Sequence, residues 1–178
     1  MDALCALSEI TRRYLNAYGP ATRGDYARWL GIAMARVKAM LKDLNAAVVE
    51  VDVEGTKAWM LAGDVSRARN AKLSRSVRLL PAFDQYVVVT SLHARHLLPG
   101  DFKKAIFRPQ GWISPVLLVN GRMDGVWRHA KKGSRTEVRI EPFVKMPAWA
   151  WRAAEKEAER LAGFLDGPLK LSWGRVTG

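Results

Sequence analysis

Over the first sixty positions the apolar residues recur at helical spacing and then switch to alternation. Ile10, Tyr14, Leu15 and Tyr18 fall near one face of a helix running from about Ser8 to Ala17, which Gly19-Pro20 stops. Thr22 opens a short second helix: its hydroxyl can accept from an exposed amide of the first turn while Asp25 answers from the third position. After Leu30-Gly31 a third helix spans Ala33 to Leu44, with Val37, Met40, Leu41 and Leu44 inward and Arg36, Lys38 and Lys42 outward. Val49, Val51 and Val53 then alternate with Glu50 and Asp52, Glu54-Gly55 turns the chain, and Thr56 to Leu61 returns as a partner strand. This order over residues 1–64 is that of a winged helix-turn-helix; a three-helix domain that binds nothing would pack in the same way.

Residues 65–76 read as a basic connector, and beyond them the strand period dominates. Tyr86 to Thr90 is a β-branched run expected as a strand. Pro115 to Val119 and Arg122 to Trp127 flank Asn120-Gly121, a strong hairpin signal because both turn positions need positive φ. A second turn at Lys131 to Ser134 leads into Thr136 to Glu141, giving three antiparallel strands with a cationic tip. Pro147 starts a helix carrying Trp151, Ala154, Ala158, Leu161 and Leu165 at helical spacing, and after Gly167-Pro168 the alternation of Leu169, Leu171 and Trp173 closes the chain with a strand. The fold class expected is therefore α+β: a winged helix followed, over residues 77–178, by a small antiparallel sheet or partly open β-barrel with one long helix. Trp29, Trp59, Trp127, Trp151 and Trp173 sit at expected core positions, whereas Trp112, after Arg108-Pro109-Gln110-Gly111, is a candidate for base stacking.

Charge changes this picture because it is local. Residues 1–64 hold 8 Lys and Arg against 8 Asp and Glu, residues 65–145 hold 16 against 5, and residues 146–178 hold 5 against 4, so most of the net +12 lies in the middle stretch. Such a concentration points to a polyanionic partner, DNA foremost. The candidate DNA-binding residues are Arg36, Lys38 and Lys42 of the third helix, Arg67, Arg69, Lys72 and Arg75 of the connector, and Arg128, Lys131, Lys132 and Arg135 around the cationic turn. If six to eight of these met phosphates, affinity would fall by about three to five decades between about 50 and 200 mM salt. Scattered solvated cations are the alternative, since a strand sends neighbours to opposite faces. The third helix is expected to meet backbone rather than to read sequence, and the acidic Glu50, Asp52 and Glu54 are expected to point away from DNA.

Catalytic and metal chemistry finds little support. His93 and His96 lack the further ligands zinc needs, so no metal and no cofactor are expected. Cys5 stands alone, which excludes an internal disulfide, and with no membrane-length apolar run and no signal peptide a cytoplasmic, nucleoid-associated location is expected, without a membrane partner. Asp84, beside apolar residues, is the one carboxylate that a water-positioning role could use, with turn capping as its plainer role.

Four segments together, Arg13 to Thr22, Asp25 to Gly31, Leu79 to Tyr86 and Val119 to Trp127, resemble the crosslink-repair DNA glycosylase family, the AlkZ/YcaQ-like proteins of bacteria. The resemblance implies tandem winged helices followed by a barrel-like domain around a DNA channel, with this chain matching the last winged helix and the barrel. It also implies a catalytic Gln-x-Gln or Gln-x-Asp motif in an earlier winged helix. Neither Gln85 nor Gln110 begins that motif, so no catalytic residue carries over, and Gln85 stands where relatives often have Glu. Three readings follow: a DNA-binding module without its own chemistry, partnered by upstream winged-helix modules or standing alone; part of an active alkylated-DNA glycosylase; or an interaction scaffold whose acidic wing meets a partner protein.

Overall fold

The computed structural model describes residues 3–72, 75–89 and 97–176, a mixed α and β chain that divides into two units, Met1–Lys72 and Leu73–Gly178. In the first unit α1 (Ala3–Tyr18) begins earlier than the expected Ser8, and Leu7 packs against the core. Next, α2 (Arg23–Leu30) is held by the capping box: Thr22 Oγ1 accepts from the Asp25 amide at 3.1 Å and Asp25 Oδ2 accepts from the Thr22 amide at 3.0 Å. Gly31, at φ 70°, ends it in the left-handed conformation that a side chain would disfavour. The third helix, α3 (Met34–Asp43), buries Val37, Met40 and Leu41 against Tyr14, Leu15 and Tyr26. Tyr26 is enclosed, and its hydroxyl shares a 2.7 Å hydrogen bond with Thr11.

Strands β1 (Val48–Val53) and β2 (Thr56–Leu61) pair from Val48 with Leu61 to Val53 with Thr56, and Glu54 and Gly55 both take positive φ in the two-residue turn. The pair of backbone hydrogen bonds between Ala21 and Trp59 ties the segment before α2 to the outer edge of β2. Trp29 departs from the expected core position: it is 40% exposed because it covers the rim of the Tyr14, Tyr18 and Tyr26 ring cluster instead of entering it. Part of the basic connector is helical, as α4 (Val65–Arg69).

The second unit is built on a five-stranded sheet in sequential order, β3 (Val77–Leu80), β4 (Val116–Val119), β5 (Arg122–Lys132), β6 (Arg135–Pro142) and β7 (Leu169–Trp173). The first three pairings are antiparallel, but β7 joins β6 in parallel, contrary to an all-antiparallel sheet. The cause is α7 (Ala148–Phe164), which carries the chain back along the sheet so that β7 restarts in the direction of β6. Alternation of Leu169, Leu171 and Trp173 reports a strand, not its direction.

The run expected as a strand from Tyr86 folds instead as a helix, α5 (Gln85–Val89). Asp84 explains this: its carboxylate accepts from the Tyr86 amide at 2.9 Å, its carbonyl accepts from the Val87 and Val88 amides, and Val87 is driven into a core. Burial and capping outweigh the β preference of three valines. Thr90, like His93 and His96, lies outside the described residues.

Two cores flank the sheet. On one face Ala150, Ala154 and Ala158 of α7, spaced one turn apart, let the helix lie close upon Leu117, Trp127, Val138 and Ile140. On the opposite face Val87, Ile106, Val116, Met123 and Val126 form a second core beneath α5 and the short α6 (Lys103–Ile106). That second core covers β4 and the start of β5, while farther along the same side Arg128, Arg139 and Lys170 are exposed. No helix among the described residues is long and apolar enough to cross a membrane.

Candidate nucleic-acid interface

Each group of expected cations takes its position from the element that carries it. On α3, Arg36, Lys38 and Lys42 are all exposed, opposite the buried stripe of Val37, Met40 and Leu41. The acidic hairpin is partly self-neutralised: Lys57 pairs with Glu50 at 2.9 Å and the Asp52 carboxylate accepts from the Gly55 amide. In α4, Arg67 is held by Asp64 at 2.8 Å, while Arg69 and Lys72 are exposed. Arg75 of the second unit lies over the Trp149 ring, 5.7 Å from its centroid.

Strand alternation sorts the cationic turn. Arg128, Lys132 and Arg135 share the sheet face away from α7, whereas Lys131 points to the other side and donates to the Leu165 carbonyl at the end of the helix, 3.2 Å away. Two residues missed by sequence reasoning join the first group. Arg139 stands directly across from Arg128 in the ladder, and Lys170 is brought alongside Glu137 by the parallel β7. The period-two spacing of Arg135, Glu137 and Arg139 could have revealed Arg139; nothing local reveals Lys170, whose neighbour is supplied by the crossover. A depression of about 380 Å³ lies on this face, lined by Arg128, Lys132, Glu137, Arg139, Lys170 and Ser172 among others.

Hydrogen bonding orders the depression. Glu137 is bridged by Lys132 and Lys170, each at 3.3 Å, and its carboxyl is held below the usual glutamate range, first by the Lys170 hydrogen bond and then by the bond and charge of Lys132. Arg139 Nε donates to Ser172 Oγ at 3.2 Å, which steers the guanidinium across to β7.

Trp112 is half exposed, as the stacking reading requires, and meets the equally exposed Phe83 edge-on with ring centroids 5.1 Å apart. Both owe their placement to unusual backbone: Phe83 itself has φ 58°, and Gln110 just before Gly111-Trp112 has φ 63°. The Arg108 amide donates to the Trp112 carbonyl, closing that turn.

Asp84 is a helix cap, as described above. A carboxylate not singled out in the sequence, Asp124, is buried on β5 with Arg122 Nε 3.5 Å away. Burial raises its pKa, and the Arg122 charge opposes that shift. Among the described residues no group of three or more His, Cys, Asp and Glu is arranged to hold a metal ion.

The chain matches, over residues 4–164, the family described as DNA glycosylase AlkZ-like. It belongs to the AlkZ-like DNA glycosylase family. An interstrand DNA cross-link repair glycosylase of Streptomyces sahachiroi is 32% identical over 160 residues, covering 88% of this chain and 42% of that protein. The solved structure of the DNA glycosylase AlkZ of the same organism superposes with a TM-score of 0.82 at 30% identity, covering 97% of this chain and 47% of the other. The chain thus spans less than half the length of the AlkZ-like relatives it matches. Two of the segments that carry the AlkZ-like resemblance are joined by hydrogen bonds. Leu79 to Tyr86 and Val119 to Trp127 are pinned together by Trp127 Nε1 donating to the Leu80 carbonyl at 2.7 Å and the Tyr86 hydroxyl donating to the Gly121 carbonyl at 2.8 Å. Asn120 Oδ1 secures the same hairpin by accepting from the Ser76 amide. Of the two glutamines, Gln85 lies exposed in the first turn of α5 and Gln110 in the turn before Trp112.

Proposed function

We propose that this chain is a DNA-binding part of an AlkZ-like repair protein: a winged helix followed by a basic, strand-rich domain that grips the phosphate backbone without reading sequence. The observation that carries this reading is the concentration of cations, with most of the net charge in the middle of the chain and several of its members gathered on one sheet face. Backbone contact follows from the chemistry on display, since lysine and arginine ends in an open depression match phosphate oxygens. The half-exposed Trp112 and Phe83 add a surface on which a base could stack.

Titration of a fluorescent duplex at several salt concentrations tests this reading. A linear fall of log affinity with log salt, its slope equal to several phosphates, is expected; absence of binding at the lowest salt would end it.

A second reading has its own support. The relative from Streptomyces sahachiroi is named for interstrand cross-link repair, and this chain covers less than half of it. We infer that, joined to an upstream portion bearing the glutamine motif, this chain serves as the DNA-holding part of a glycosylase. Assays for release of an alkylated base, run on the chain alone and on a fusion with such a portion, separate the two: activity only in the fusion is the expected outcome.

A further inference from the structure

Phe83 and Trp112 stand 5.1 Å apart with 81° between their ring planes, and this mutual contact still leaves 48% and 49% of the two residues open to water. Backbone geometry holds both rings outward. Phe107 bridges to Ile113, and both pack on the second core. One step along, the Arg108 amide donates to the Trp112 carbonyl at 2.8 Å. Residues opposite one another across such a pair share a face, so Arg108 and Trp112 project together, away from that core. Phe83 joins them through a conformation that bulky side chains rarely adopt, φ 58°. Leu79 and Val87, on either side of it in the chain, are buried, whereas its own ring stays out.

The charge beside the rings is positive and uncommitted. Arg108 is exposed, and among the described residues its guanidinium has neither an ion pair nor a hydrogen bond. Lys103 and Lys104 of α6, one turn earlier in the chain, are also exposed and unpaired among the described residues, offset only in part by the exposed Asp101. Asp84, next to Phe83, turns its carboxylate to the Tyr86 amide. Two open rings at a right angle, with a free guanidinium beside them, match the flat face of a nucleobase and its phosphate.

From this geometry we propose that Phe83 and Trp112 form an aromatic corner that takes one unpaired nucleobase of DNA, with Arg108 on the phosphate of that nucleotide. A base laid flat on one ring meets the other edge-on, the arrangement the two rings already adopt toward each other. Any base fits, because every base has a π-face. This rests on the DNA-binding reading and adds to it a preference for DNA with an unpaired base, since an intact duplex keeps its bases stacked within the helix.

The test uses the full chain and three fluorescent duplexes of one sequence: intact, with a single bulged adenine, and with a base-free sugar at the bulge. The last has the bend without the base. Anisotropy titrations are expected to show the adenine bulge bound about tenfold more tightly than the base-free one. Trp112→Ala is expected to bring that ratio to about one, and Trp112→Phe to restore part of it. Arg108→Ala is expected to lower the magnitude of the salt slope on both bulged duplexes by about one while keeping the ratio. Thermal midpoints verify folding; should Trp112→Ala not fold, Phe83→Ala, at a half-exposed position, makes the same comparison. Wild-type binding with equal affinity for the two bulges would overturn the corner and leave the DNA-binding reading intact. So would a ratio that survives loss of either ring, or self-association in sedimentation that Trp112→Ala abolishes without any base preference, which would give the rings to a second copy. Failure of the wild type to bind any of the three at low salt would remove both readings.

Discussion

The two sides of the five-stranded sheet are made from the same strands and have opposite economies. Toward α7, Trp127, Val138 and Ile140 meet an alanine stripe and are almost wholly shielded from water. On the other side, past the small core under α5, the alternate positions carry Arg128, Lys132, Arg135, Arg139 and Lys170. The first side is where burial holds the fold, and the second is where cations gather around Glu137 in contact with solvent. Stability and the proposed binding thereby fall on residues of opposite strand parity, and substitution of neighbouring residues should separate them experimentally.

The largest effect is expected from Trp127→Ala, which removes a buried ring and the bond to the Leu80 carbonyl: about 3–5 kcal/mol of stability, measured by denaturant unfolding. Its neighbour Arg128→Ala should instead leave unfolding close to wild type and weaken DNA binding; equal loss of stability in both would break the comparison. Filling the helix contact by Ala154→Leu should cost about 1–3 kcal/mol, because the close approach of α7 leaves no room for the added carbons. In the first unit, Thr22→Ala should cost about 1 kcal/mol through loss of the capping box, with the salt slope for DNA unchanged.

A smaller and pH-dependent effect belongs to Asp124. Its folded pKa is raised, so the folded state binds more protons than the unfolded state between the ordinary aspartate value of about 3.9 and the folded one. Stability should therefore fall as pH rises through that window. Asp124→Asn should abolish this component, which denaturation midpoints across the acid range will detect; an unchanged profile would assign it to another group.

What could be read in the sequence divides along the same line as local and distant interactions. The first three helices, the tight hairpin turns and the alanine-bearing helix were legible because caps, glycines and periodicity act within a few residues. The helix at Gln85–Val89 was hidden because its cause is the Asp84 cap together with a core pocket for Val87, and β-branched residues give no hint of either. The direction of β7 was hidden because α7 decides it. The candidate site followed suit: Arg128, Lys132 and Arg135 were visible as a basic cluster, Lys131 belonged to the wrong side of the strand, and Lys170 became a neighbour only through the crossover.

The parallel placement of β7 has a consequence for how the chain acquires its grip. Translation delivers residues 169–173 after every other strand of the sheet. Until they dock, Ser172 cannot steer Arg139 and Glu137 has a single lysine to hold. A nascent chain could thus complete its hairpins and still lack this arrangement, so that under the proposed DNA-binding function its grip on a backbone would arrive only with that strand.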